Sequence, residues 1–167
     1  VELGRVTVAS LQQALVLALI VIGILLAVLW RSLVDTLLVL APLLLAGLLT
    51  VGSLVVLGRG FNFANVIVLP LLLGIGIDSG IHLVHRARAT GQIGADLLSE
   101  TTARAVFYSA VTTITSFGTL VLSSHRGIVT LGETLVIGIF FTVVCNLVLL
   151  PALLVLAPGG SAGRQRS

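Results

Sequence analysis

Five long apolar stretches leave this chain almost no choice of fold. They run about 11–30, 33–57, 63–85, 103–122 and 131–156, each close to the ~20 residues a helix needs to cross hydrocarbon. In lipid every backbone N–H and C=O must find its partner inside the protein, so only helices and closed barrels span a membrane. A barrel strand alternates apolar and polar residues with period two, and the run from Ala14 to Trp30 shows no such alternation. The expected fold is therefore all-α: a polytopic membrane protein, a bundle of five transmembrane helices within residues 1–157. Residues 158–167, rich in glycine, serine and arginine, are expected to be a disordered tail. Composition agrees: 57% of the 167 residues are hydrophobic, 9% are charged, and the mean hydropathy is +1.23.

All nine basic residues are arginine, and their distribution orients the helices. Arg31, Arg86, Arg88, Arg104, Arg164 and Arg166 fall on one side and Arg5, Arg59 and Arg126 on the other. The richer side is expected to be cytoplasmic, which puts the N-terminus outside and the C-terminus inside. Trp30 stands where an interfacial anchor belongs on that side. The net charge of +3 is thus a topology signal, and scattered arginines without a basic patch give no nucleic-acid surface. Cys145 is the only cysteine, so no internal disulfide forms. With no methionine at position 1 and no cleavable signal pattern, the chain is read as a segment of a longer protein.

Local signals punctuate the spans. Ser32-x-x-Asp35 and Thr130-x-x-Glu133 read as capping boxes opening the second and fifth helices. Pro42 and Pro70 lie inside spans, where each removes a backbone donor and is expected to kink its helix. The longest connection, Arg86 to Arg104, carries a candidate interfacial helix around Ile93 to Leu98. The connection at Ser123 to Gly127 is short enough to make the last two spans an antiparallel hairpin. Asn146, within the apolar fifth span, is expected to hydrogen-bond across helices. No P-loop, nucleophile elbow or HExxH motif is present, so nucleotide hydrolysis is not indicated.

The chemistry sits in the third span, where Gly74-Ile75-Gly76-Ile77-Asp78-Ser79-Gly80-Ile81-His82 puts an acid and an imidazole among apolar residues. At a helix centre an aspartate costs about 2.5–3.5 kcal/mol on insertion scales, so such a residue is by default functional, commonly in proton or ion handling. Gly74, Asp78 and His82 are four apart and share a face. Counted from Val84, Asp78 is about 9 Å deep at 1.5 Å per residue, nearer the arginine-rich side. Gly74, Gly76 and Gly80 permit close helix packing or a small hydrated space. In the fourth span Ser109, Thr112, Ser116, Thr119 and Ser123 recur at spacings of three and four, a hydroxyl stripe suited to face the acid. The alternatives are structural. Asp78 is then satisfied by a neighbouring helix, the stripe is interhelical glue, and His82 is an interfacial residue rather than a proton donor. A metal held by Asp78, His82 and His85 is disfavoured, because no further strong ligand is in register.

The run from Asn62 to His82, with Pro70 ahead of the glycine-acid motif, resembles the fourth helix of half of a resistance-nodulation-division (RND) transporter of the MMPL type. Ala105 to Thr113, Ser116-Phe117-Gly118, Leu122 to His125 and Leu149 to Leu154 resemble, more narrowly, the C-terminal end of hopanoid-associated, HpnN-type RND transporters. The resemblance implies that the five spans are helices two to six of a half whose remainder carries periplasmic domains. It further implies export of lipids or other hydrophobic molecules, hopanoids among them, across a bacterial inner membrane. The proton is the implied coupling ion, with no cofactor, and the relay is Asp78 with Ser79, His82, Thr112, Thr113 and Ser116. Ser79 departs from relatives that carry a tyrosine or second acid there. Membrane lipids, the rest of the transporter and further copies of the chain are the implied partners. The same unit resembles a sterol-sensing domain, so lipid sensing without transport stands as the alternative.

Overall fold

The computed structural model describes residues 2–58, 63–99 and 101–156, and side-chain surroundings for 13, 16–28, 30–58, 67–98 and 101–156. The expected tail at 158–167 lies outside them, as do the side chains of Arg5, Arg59, Arg164 and Arg166.

Helix α1 (Glu2–Trp30) and helix α2 (Leu33–Val56) are joined by only two residues. Arg31 makes this turn possible by taking φ 51°, and its N–H donates to Ala27 O at 2.9 Å. Ser32 then caps α2, accepting from the Asp35 N–H at 3.2 Å. Helix α3 (Phe63–Thr90) ends at Gly91, which adopts φ +71° and donates to Ala87 O at 2.9 Å. Glycine terminates helices in this left-handed conformation because it has no Cβ to clash. A short helix α4 (Ala95–Ser99) follows Gly94, also left-handed at φ +63°. Helix α5 (Thr101–Gly118) tightens into a 3₁₀ turn at Thr119–Leu122. Helix α6 (Arg126–Val144), a π-helical turn (Cys145–Leu149) and helix α7 (Leu150–Leu156) then run on as one apolar segment, Arg126–Leu156.

The described residues are thus an all-α membrane bundle. Leu33–Val56, Ile67–Thr90, Thr101–Leu122 and Arg126–Leu156 are long and apolar enough to span a bilayer, and α1 adds a shorter apolar segment, Val16–Val28. Several helix ends differ from the apolar boundaries because backbone hydrogen bonding does not stop where hydropathy does. Helix α1 begins at Glu2 rather than near residue 11, and α3 continues to Thr90 rather than 85. Past the apolar run, α3 is held by packing of Ala87 and by Arg88 bonding to Asp35. The last span starts at Arg126 rather than 131, with His125 O accepting from the Ile128 and Val129 N–H groups at 3.0 Å each. Thr130 therefore lies inside the helix, its hydroxyl donating back to Arg126 O at 3.1 Å and Gly127 O at 3.0 Å, and is not the expected cap. The α2 and α3 helices continue through Pro42 and Pro70.

Packing gathers the buried side chains into three clusters, one of them the small group Leu43, Leu73 and Ile77 between α2 and α3. At the arginine-rich end, Leu26, Leu38, Val39, Leu83, Val84, Leu97, Leu150 and Leu154 form one buried cluster with Trp30 and Ile93 against it. Leu97 of α4 is fully buried there and Leu98 is exposed, so α4 packs one side against this end of the bundle. Toward the other end, Val68 and Leu72 of α3 meet Leu135 and Ile139 of α6, with Ile114 and Phe117 of α5 alongside. Helix α6 is the central strut, touching α2, α3 and α5. Along α1, Leu17, Ile20, Ile24 and Val28 are exposed at spacings of three and four, as a lipid-facing stripe requires.

Candidate functional site

Two turns of α3 decide the geometry of the site. Gly76 and Gly80 face inward: a Cβ on Gly76 would run into Leu43 of α2 and Thr142 of α6, and one on Gly80 would lie 3.0 Å from Val39 of α2. Close approach at these positions turns the opposite face outward. Gly74 has open space around it, and Asp78 and His82 beyond it are 76% and 65% exposed in their side chains. The three do share a face, and it is the one the described residues do not cover. The packing role expected of all three glycines is therefore filled by Gly76 and Gly80, while Gly74 touches nothing.

Asp78 Oδ1 and His82 Nε2 lie 3.4 Å apart, one turn along the helix. They open on a cavity of about 360 Å³ between α3 and the start of α5, lined also by Ser79, Thr101, Thr102, Ala105, Val106 and Ser109. Ser79 Oγ donates to Ile75 O at 3.3 Å, a long bond that is easily exchanged. A smaller cavity of about 20 Å³ adjoins the first one turn deeper, where Ser79 and Ser109 meet Thr113 of α5 and Thr142 of α6.

Of the expected hydroxyl partners, Thr113 reaches the smaller cavity and Thr112 and Ser116 reach neither. Thr112 donates to Tyr108 O at 2.9 Å and Ser116 to Thr112 O at 2.9 Å, and both are exposed. Ser116 points much as Ser109 does but sits about 10 Å farther along the axis. By that level α5 has moved onto α6, with Phe117 O 3.1 Å from where a Cβ on Gly132 would be. Thr101 and Thr102 were missed because they precede the apolar run. Their signal is the stripe continued backward from Ser109 through Ala105. Thr142 was missed for the opposite reason, being one of two threonines in a largely apolar span. It belongs to a buried series at spacing four: Thr134, Gly138, Thr142 and Asn146.

Asn146, 1% exposed, donates from Nδ2 to Gly76 O at 3.2 Å, two residues before Asp78. It lies in the π-helical turn, Cys145–Leu149, that precedes Pro151. Proline has no N–H to continue the helix, and a π turn shifts the register of the groups facing a site. At the arginine-rich end, Arg88 Nε and Nη2 both bond Asp35 Oδ1, at 3.0 and 2.6 Å. The sequence reading gave Asp35 a capping role. Its N–H is capped by Ser32, while its carboxylate, 17% exposed, ties α3 to α2. Among the described residues, no three His, Cys, Asp or Glu side chains come together as a metal site.

The MMPL family model matches residues 3–166. The chain belongs to the MMPL family. Two MMPL relatives named hopanoid transporter HpnN are similar to it: that of Rhodopseudomonas palustris at 42% identity over 90% of this chain, and that of Burkholderia multivorans at 40% over 88%. A membrane protein of Methanocaldococcus jannaschii is 36% identical over 83% of the chain. The chain spans 17% and 16% of the length of the two HpnN proteins and 37% of the archaeal one. No solved structure matches. These likenesses make this MMPL bundle an HpnN-type RND region, as its motifs suggested.

Proposed function

We propose that this bundle is the proton-coupling part of an RND exporter of lipids or other hydrophobic molecules, driven by the proton-motive force, with Asp78 as the relay acid. Hopanoids are the proposed cargo, after the names of the two HpnN relatives. The observation that carries the reading is the pairing of Asp78 and His82 at 3.4 Å on a cavity that opens between α3 and α5. A carboxylate in a spanning helix is costly against lipid, so its exposed face is covered, on this proposal, by the rest of the transporter and by water. The arginine-rich end is cytoplasmic in a bacterial inner membrane. A charge moved across 100 mV carries about 2.3 kcal/mol, enough to bias a helix-packing equilibrium.

The test is lipid export by the full-length protein carrying Asp78→Asn. Loss of proton-dependent export with normal insertion supports the relay, and unimpaired export refutes it. One observation favours the second reading, lipid sensing without transport. An apolar cavity of about 270 Å³ lies among Leu19, Leu43, Leu48, Leu69, Leu73 and Thr142, between α1, α2, α3 and α6. On that reading a lipid tail fills this cavity and Asp78→Asn leaves lipid binding unchanged.

A further inference from the structure

The small cavity beside the Asp78 vestibule has the dimensions and chemistry of a site for one molecule. Its volume of about 20 Å³ meets the requirement for a single water, roughly 10–15 Å³ of room for the water centre together with two to four polar partners. Four hydroxyl-bearing residues line it beside five apolar ones: Ser79 from α3, Ser109 and Thr113 from α5, and Thr142 from α6. Three of them already donate along their own helices: Ser79 to Ile75 O at 3.3 Å, Thr113 to Ser109 O at 2.7 Å and Thr142 to Gly138 O at 2.8 Å. Each oxygen therefore keeps acceptor capacity. Ser109 Oγ has no hydrogen-bond partner among the described residues and keeps its proton to give. A water in the slot can accept from Ser109 and donate to two of the other three, which satisfies it.

We propose that this slot binds one water molecule and that this water is the outer-side entry station to Asp78. The proposal rests on the proton-relay reading above. Ser79, Val106 and Ser109 line both the slot and the vestibule, so the two serines are the polar part of the partition between them. The water passes one proton through Ser79 or Ser109 to the Asp78 carboxylate and takes a replacement proton from the outer side, so no net charge is left in the slot. Thr142 is a positioning residue in this scheme. It fixes the water against α6, the helix whose Asn146 also holds the α3 turn before Asp78.

Two measurements on the full-length transporter test this. The first is a high-resolution structure of the protein with native Thr142 and of Thr142→Val, which keeps the side-chain volume. The second is proton flux into proteoliposomes under an imposed pH gradient, read with a pH-sensitive dye. An ordered water within hydrogen-bond distance of Ser109 and Thr142 is expected in the native protein and absent in Thr142→Val. Flux should fall about tenfold in that variant, the worth of one net hydrogen bond. Thr142→Ser should restore it, and Thr115→Val, on the exposed face of α5, should not alter it. A dry slot in the native protein, or undiminished flux in Thr142→Val beside a dead Asp78→Asn, overturns the water station alone. Undiminished flux in Asp78→Asn overturns the relay itself and the station with it.

Discussion

Gly76 and Asp78 are two residues apart on one helix and live in opposite surroundings. Gly76 is clamped: α2 and α6 press on it, and Asn146 bonds its carbonyl. Asp78 is open, facing a cavity on the uncovered side of the bundle. On the proposed relay, a helix that responds to a proton needs both conditions: the clamped face would give a fixed surface against which force is applied, and the open face would admit water to the charge. Because the two faces are offset by about 200° at 100° per residue, neither function compromises the other.

The clamp can be broken most severely at its tightest contact. Gly76→Val places side-chain atoms where Leu43 and Thr142 already stand, and overpacking of this kind costs roughly 2–3 kcal/mol. The expected result is a lower unfolding midpoint in detergent or loss of monodisperse protein. Arg88→Ala removes both bonds to Asp35 and leaves a largely buried carboxylate without its cation. The loss is expected at about 1–2 kcal/mol after discounting for the exposure of Arg88, with Arg88→Lys in between. Reversible unfolding of the two variants measures it. On the open face, Gly74→Ala meets nothing and should stabilise the helix by about 0.5–1 kcal/mol. A destabilised Gly74→Ala would show that this face is packed within the bundle.

The bundle itself could be read from the sequence because lipid removes almost every alternative to helices, and the glycine-acid run marked the helix that matters. Asn146 was readable too, since a buried amide in an apolar span must bond across helices. Other features depended on information that local pattern does not hold. The pairing of Asp35 with Arg88 joins residues 53 apart, and nothing near Asp35 signals a cation. The hydroxyl stripe contained Ser109, which lines the cavity beside Asp78, but a helix turns 100° per residue, so Thr113 faces the smaller cavity while Thr112, one residue earlier, lines neither, and Ser116 lies farther along the axis. The start of α6 was misplaced because Thr130-x-x-Glu133 mimics a cap, whereas the backbone had already closed its first turn at His125.

The central claim is that the open face carries the proton. Its most direct test is proton flux through the full-length protein in sealed vesicles, comparing native Asp78 with Asp78→Asn and Asp78→Glu under the same pH gradient. A relay through Asp78 predicts flux abolished by the amide, which cannot ionise, and at least partly retained by glutamate, with all three proteins equally folded. Equal flux in the native and Asp78→Asn proteins would contradict it.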